Sequence, residues 1–140
     1  MRRDASSAHT SFERLRRRPE FVAVAKGARA NTDAFGLQTR RRPADCDENT
    51  AGAPPRFGLT VTKKVAPRAV DRNRMRRRLR EALRLGAALS GAAGHDYVIV
   101  GRQPLLSIRF DDLRAGLAEG LEAVTRRSAR RPTDMTRQGR

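Results

Sequence analysis

Aromatic residues, cysteine and lysine are scarce in this chain of 140 residues, and long apolar runs are missing. It has no tryptophan, one tyrosine and a single cysteine, Cys46. One cysteine excludes an internal disulfide and fits a reducing compartment. No run of about 18 apolar residues could form a transmembrane helix. The first stretch, MRRDASSAHTSFERLRRRPE, lacks the roughly 7–15-residue apolar segment of a signal peptide. We therefore expect a cytoplasmic protein.

The charge balance is strongly basic. The chain has 31 Lys and Arg against 15 Asp and Glu, which gives a net charge of +16 and a pI near 11.7. Such a chain repels itself unless a polyanion neutralises it, so nucleic acid is the favoured partner and an anionic membrane surface the second candidate. Codon bias in a GC-rich genome would explain the excess of arginine over lysine, but it does not explain where the arginines cluster.

The distribution of apolar residues indicates one domain flanked by polar ends. The length suits a single domain with a modest core. We expect a mobile basic arm over residues 1–13, a single RNA-binding domain over residues 14–125 and a disordered basic tail over residues 126–140.

Apolar periodicity within the domain predicts an α+β fold. The order helix-strand-strand-helix-strand-helix indicates an α/β two-layer sandwich with helices packed around one small sheet. The two consecutive strands suggest an antiparallel hairpin, and the run YVIV predicts a strand covered on both faces. The segment Pro19–Arg29 predicts a short helix that stops at Gly27, and two further helices are predicted over Ala69–Leu85 and Ser107–Thr125. The predicted strands span Asp33–Arg41, Arg56–Val65 and His95–Arg102.

The stretch DRNRMRRRLREALR has the pattern of an amphipathic helix. At about 100° per residue, Met75, Leu79, Ala82 and Leu83 form one apolar stripe. Like-charge pairs at i, i+4 cost roughly 0.2–0.5 kcal/mol each, less than the roughly 1.5–3 kcal/mol from burying one large apolar residue. Evenly spread arginines suit a phosphate track rather than base reading, and the pattern lacks a helix-turn-helix that would favour DNA. The opposite face carries Asn73, Arg76, Arg77, Arg80 and Arg84.

The sequence shows no constellation for catalysis or for a metal. Asp111 and Asp112 suit the first turn of a helix better than a metal site. The acidic residues around Cys46 belong to a loop, and Cys46 has no CxxC partner. His9 and His95 have no visible partner. We therefore predict no catalytic residue and no metal ligand in the protein itself. The acidic loop residues are Asp45, Asp47 and Glu48.

The segment TKKVAPRAVDRNRMRRRLREALR resembles the protein subunit of bacterial ribonuclease P. The resemblance lies in a strand ending in Lys63 and Lys64 and, about seven residues later, in an RNR motif that opens a basic helix. It extends to RLRRRPEFVAVAKGAR, RFGLTVTKK, DYVIVGR and FDDLRAGLAEGLEAV, so it covers roughly residues 14–124. The RNA-binding residues that it implies are Arg72, Asn73, Arg74, Arg76, Arg77, Arg80 and Arg84, with Lys63 and Lys64.

The resemblance implies a specific function. Such a subunit binds a large catalytic RNA, and together they remove the 5′ leader from precursor tRNA. The RNA holds the Mg²⁺ ions and performs the hydrolysis, so the protein alone is not catalytic. The fold implied is a sandwich with an unusual left-handed β-α-β crossover, against the usual rule.

The resemblance also implies a cleft for the leader between the first helix and the sheet. Phe21 matches an aromatic residue of this cleft, whereas Ala25 and Gln38 stand where the family often has further aromatic residues. Stacking on an aromatic ring contributes roughly 1–3 kcal/mol per base. Leader binding here is therefore expected to depend more on Arg40, Lys63, Lys64 and the arginine helix.

Two other functions compete with this one. A structural RNA-binding protein of the ribosomal type would share the composition and the sandwich, and only the KK and RNR motifs favour ribonuclease P. A membrane-surface or DNA-compacting protein would need a more amphipathic or more repetitive sequence. We expect the catalytic RNA and precursor tRNA as partners, and neither DNA nor a membrane.

Overall fold

A five-stranded mixed sheet organises the molecule. The computed structural model describes residues 13–42 and 54–138. Most of the predicted arm, with His9, and the acidic loop around Cys46 lie outside these residues. The strands follow the order β1-β4-β5-β3-β2 across the sheet. They are β1 Glu13–Arg14, β2 Ala28–Asn31, β3 Phe35–Arg41, β4 Arg56–Thr60 and β5 His95–Gly101.

The central strand is β5, and the predicted hairpin of β3 with β4 is wrong. β5 lies between these two strands, antiparallel to β3 and parallel to β4. The reason for the central position of β5 is the run Tyr97–Val100, which places apolar side chains on both faces of the sheet. A central position covers both faces of such a strand and pairs both of its edges.

Two short strands were not predicted from the sequence. β1 pairs parallel with β4, and β2 pairs antiparallel with β3. Gly27 lets β2 approach β3 closely, since a Cβ at this position would lie 2.0 Å from the Thr39 carbonyl oxygen. The first helix ends just before Gly27, as the sequence predicts, and Ala28 begins a strand directly afterwards.

Within the described residues three helices flank the sheet, and the third is longer than expected. They are α1 Arg18–Ala25, α2 Ala69–Arg84 and α3 Phe110–Gln138, with 3-10 turns at Ala87–Ser90 and Gln103–Leu106. The expected disordered tail from residue 126 is thus helical through Gln138. Buried Ser128 extends the packed face past Val124, and Arg127 donates a hydrogen bond to the Arg29 carbonyl. No described helix is long and apolar enough to cross a membrane.

Each face of the sheet has its own core. Tyr97 and Ile99 of β5 face α2 and α3, within a cluster that includes Leu37 and Phe57. Val98 of β5 faces the other way and packs with Leu15 and Val24, against α1. The α+β class and the doubly covered strand are confirmed. α1 covers one face of the sheet, and α2 and α3 cover the other.

The segment from β4 through α2 to β5 is a β-α-β unit. Its two strands are parallel neighbours, with Arg56 opposite Asp96 and Thr60 opposite Val100. The left hand of its crossover, which the family resemblance implies, stays a prediction.

Candidate nucleic-acid interface

The arginine helix α2 is fixed to the protein by the apolar stripe that the sequence predicts. Met75, Leu79, Ala82 and Leu83 are all fully buried. Each large apolar side chain among them contributes roughly 1.5–3 kcal/mol on burial, which outweighs repulsion between neighbouring arginines. The stripe is therefore confirmed, and the opposite face of α2 is turned away from the core.

The outer face of α2 carries guanidinium groups that the protein leaves largely unused. Arg74, Arg77 and Arg80 are exposed and make no hydrogen bond or ion pair with the described residues. Arg76 has one long contact, 3.5 Å from its Nη1 to Asn73 Oδ1. Guanidinium groups with free donors in a row match the spacing of a phosphate backbone better than a base edge.

Two predicted RNA-binding arginines already have partners in the protein. Arg72 donates from Nη1 to the carbonyl oxygens of Ala66 and Pro67, each at 2.9 Å. Arg84 forms an ion pair with Glu81 one turn earlier. Arg72 therefore ties the loop before α2 to the start of the helix, and Arg84 is partly neutralised. A role for either residue in RNA binding stays a prediction.

Arg78 lies beside the apolar stripe, and it reaches a carbonyl rather than solvent. Its guanidinium donates to the Ile108 carbonyl, just before α3. Ile108 lies just before α3, so this hydrogen bond links α2 to the start of α3. Arg78 is therefore not one of the free arginines on the outer face of α2. Lys63 and Lys64 lie in the turn after β4, where both are exposed and close in sequence to the start of α2.

A cleft of about 530 Å³ lies between α1 and the sheet. Its floor consists of side chains from the α1 face of three adjacent strands, which are Gln38, Thr60, Val98 and Val100. Phe21, Val22 and Ala25 of α1 form a wall, and Arg16 and Arg18 form a basic entrance.

Two of the three predicted cleft residues line the cleft, and the third does not. Phe21 and Gln38 both line the cleft. Arg40 is half-buried on the same face and is not among the lining residues, and its Nε has no hydrogen bond within the described parts of the chain. Phe21 lies directly over Gly58, where a Cβ would come within 2.5 Å of the ring. The missing side chain at Gly58 is thus what allows the aromatic ring to lie against β4.

An ion-pair network at one end of the cleft connects α1 with the sheet, and the sequence analysis did not identify it. Arg56 Nε lies 2.8 Å from Asp96 Oδ1, and Arg56 Nη2 lies 2.7 Å from Oδ2. The remaining Arg56 nitrogen, Nη1, lies 3.0 Å from Glu20 Oε2 in the first turn of α1. Arg42 adds a second cation, with Nε 3.0 Å from Asp96 Oδ1. The only signal in the sequence is Asp96, an acid that opens an apolar strand.

The network shifts the pKa values of its members in the directions expected for ion pairs. Burial alone would raise the pKa of Glu20, but hydrogen bonds from the Arg17 and Arg16 amides and the charge of Arg56 outweigh it, so the pKa lies below its ordinary value. The hydrogen bond to Asp96 raises the pKa of Arg56. Both groups therefore remain charged at neutral pH, and α1 is held on the sheet by full charges.

The remaining histidine and acidic residues in the described parts of the chain form no cluster that could bind a metal. Burial, together with the positive charges of Arg41 and Arg42, lowers the pKa of His95, which stacks near Tyr97 at 6.0 Å. Asp111 and Asp112 are exposed in the first turn of α3, as a helix dipole favours. Within residues 13–42 and 54–138, no group of three or more His, Cys, Asp or Glu side chains could hold a metal ion.

A mixed sheet that carries an outward row of arginines beside an aromatic cleft defines a nucleic-acid-binding protein of the α+β class. The chain belongs to the ribonuclease P protein family, whose model matches residues 10–130. Its role is that of the protein subunit of ribonuclease P, a tRNA-processing endoribonuclease. The family match decides against the ribosomal-type alternative.

Individual relatives agree with this assignment. The ribonuclease P protein component of Brucella suis is 42% identical over 112 residues, which cover 79% of this chain and 78% of that protein. The Caulobacter vibrioides protein of the same name is 44% identical over 99 residues, covering 70% and 62%. The ribonuclease P protein structure from Thermotoga maritima superposes with a TM-score of 0.65 at 26% identity, covering 80% of this chain and 97% of that one.

Proposed function

We propose that this subunit binds two RNA surfaces at once, the catalytic RNA through α2 and the 5′ leader of precursor tRNA through the cleft beside α1. The observation that carries the proposal is the free outer face of α2. Arg74, Arg77 and Arg80 hold positive charge outward without partners among the described residues. A surface of this kind is stabilised when it displaces counterions from a phosphate backbone.

The cleft supplies the second half of the proposal. A single strand that enters past Arg16 and Arg18 meets the ring of Phe21 and the polar end of Gln38. One aromatic ring offers a stacking surface for one base, and two arginines at the entrance can hold the adjacent phosphates. A folded tRNA body does not supply such an unpaired strand, so the cleft favours the leader.

Hydrolysis is assigned in this proposal to the RNA subunit, which holds the Mg²⁺ ions. This assignment rests on the family resemblance. The part that the protein plays is to bind, to neutralise phosphates and to orient the leader, which lowers the concentration of Mg²⁺ that the RNA needs for folding and substrate binding. We also propose that the complex acts in the cytoplasm, where it would meet precursor tRNA.

Reconstitution tests the proposal as a whole. The purified protein is combined with a bacterial ribonuclease P RNA at low Mg²⁺, and cleavage of a precursor tRNA is followed with protein alone, RNA alone and both together. We expect no cleavage by the protein alone and accurate 5′ cleavage only by the combination. Cleavage by the protein alone would contradict the division of labour. Binding to the RNA without any gain in cleavage would contradict a role in processing.

A further inference from the structure

A second, smaller pocket lies between α1 and α2, at the β4 edge of the sheet. Its volume is about 160 Å³, below the roughly 300–1,000 Å³ typical of pockets for drug-sized ligands. It therefore has room for one small planar group rather than for a long segment. Phe21 lines this pocket and also lines the larger cleft, so the two lie next to each other at one aromatic ring.

The walls of this pocket combine apolar surface with cations. Its floor comes from Leu15, Phe21, Phe57 and Leu59, and its rim comes from Arg14, Arg76 and Arg80. Arg14 and Arg80 are exposed, and Arg80 has no ion pair or hydrogen bond with the described residues. An apolar floor under guanidinium groups matches a nucleobase with its phosphates, and it does not suit an acidic peptide or a free anion.

The open edge of β4 adds hydrogen-bonding groups to the same place. The Phe57 carbonyl accepts a hydrogen bond from the Leu15 amide, 3.0 Å away, so the backbone groups of Phe57 point toward β1. Leu59 follows two residues later and points its own N–H and C=O the same way. Pairing with β1 reaches only Arg56 and Phe57. No described strand pairs with Leu59 on this side, so a base inserted here would meet one backbone donor and one backbone acceptor.

We propose that this pocket binds one unstacked nucleotide of the precursor tRNA leader, the neighbour of the nucleotides in the larger cleft. The proposal rests on leader binding in that cleft. The leader is chosen as the occupant because Phe21 is shared, so a strand in the cleft needs only one more nucleotide to reach the pocket. Its base would lie over Leu15 and Leu59, beside the Phe21 ring, and its phosphate would lie near Arg14.

The test uses the holoenzyme and a set of precursor tRNAs, each with one abasic leader nucleotide. With the unmodified protein we expect two sensitive leader positions, the base stacked on Phe21 in the larger cleft and a neighbouring one in the pocket. The abasic form of the neighbouring position should bind at least about fivefold more weakly, the low end for base stacking. In Leu59→Ala and in Leu59→Phe, which fills the pocket, this penalty should fall below about twofold. Leu106→Ala is the matched control, a half-buried leucine of the same core that does not line the pocket.

The outcomes separate this proposal from the proposed function. If the Leu59 variants keep the abasic penalty, the base lies elsewhere and the pocket assignment is overturned. If only one leader position is sensitive, and its penalty is lost in Phe21→Ala but kept in the Leu59 variants, the pocket is overturned and the cleft stands. Loss of affinity for the RNA subunit alone, with no change toward the leader, would assign the pocket to the RNA subunit and overturn the proposal. Thermal unfolding of Leu59→Ala and Leu59→Phe confirms that folded proteins are compared.

Discussion

Glu20 has two functions at once, one local and one tertiary. Its Oε1 accepts from the backbone amides of Arg16 and Arg17 and caps the first turn of α1. Its Oε2 forms the ion pair with Arg56 that connects α1 to β4. Because Phe21 is the next residue, the position of the aromatic ring depends on this carboxylate as well as on Gly58.

Replacing Glu20 with Gln should separate these functions. Gln can still accept from the amides, but it loses the ion pair, so we expect the free energy of unfolding to fall by about 0.5–1 kcal/mol at pH 7. The lowered pKa of Glu20 means that its stabilisation is present above the unfolded-state pKa and is lost as pH falls through the folded-state value. The gap between wild type and variant should therefore narrow below about pH 4.5, near the reference pKa of Glu.

Urea unfolding at several pH values measures this gap. Glu119→Gln is the control, since Glu119 is an exposed acid on α3 with no hydrogen bond or ion pair to the described residues. A gap that stays constant from pH 7 to pH 3 would mean that the carboxylate charge of Glu20 does not stabilise the fold.

Phe21→Ala should weaken binding of precursor tRNA more than binding of mature tRNA. The loss expected is about 1–3 kcal/mol for one stacked base, or roughly fivefold or more in affinity. Affinities of the holoenzyme for the two RNAs measure it. Val24→Ala removes buried packing from the same helix without touching the cleft. Equal losses for Phe21→Ala and Val24→Ala on both RNAs would show that Phe21 serves only the core.

At the scale of elements, α2 has one apolar face that is buried in the protein and one positively charged face that is exposed. The buried face is satisfied within the protein, whereas the outer face depends on a polyanion to neutralise it. Arg72 at one end and Arg84 at the other are bound to protein atoms, so the free guanidinium groups are concentrated in the middle turns. The RNA contact is therefore expected there.

Replacing Arg76, Arg77 and Arg80 together with Ala should flatten the salt dependence of binding to the RNA subunit. Each lost contact with a single-stranded phosphate reduces the slope of log K against log salt by about 0.7, so three contacts amount to roughly 2. Titrations at several salt concentrations measure the slope. A triple variant of Arg41, Arg109 and Arg126, which are also exposed, removes the same charge elsewhere. Equal slopes for both variants would show that only net charge matters.

The third helix shows where element-level reasoning fails. Basic residues after Thr125 resemble a disordered tail, yet the helix runs to Gln138. Arginine is a good helix former, and charge alone does not end a helix that still has packing. Val124 and Ser128 provide packing for the first turn past Thr125, since they lie four residues apart on one buried face.

At the scale of the whole molecule, the sheet order brings the interface together. α1 and α2 are separated by more than forty residues along the chain, and both approach the β4 edge of the sheet. The ion pair between Arg56 and Asp96 exists because these residues are opposite each other in the parallel pairing of β4 with β5. If β3 and β4 formed a hairpin, Asp96 and Arg56 would not be neighbours, and α1 would lose its anchor.

Local periodicity was enough to determine three helices, three of the strands, the buried stripe of α2 and the arginines on its outer face. Those features depend on neighbours within about four residues, which the sequence displays directly. The central position of β5, the two short strands and the Glu20–Arg56–Asp96 network depend on residues far apart in the chain. Only tertiary structure decides them, because the register between strands, and not spacing along the chain, sets which charges and rings meet. The cleft shows both kinds of dependence. Phe21 can be identified from the sequence, whereas only the fold shows that Gly58 leaves room for its ring.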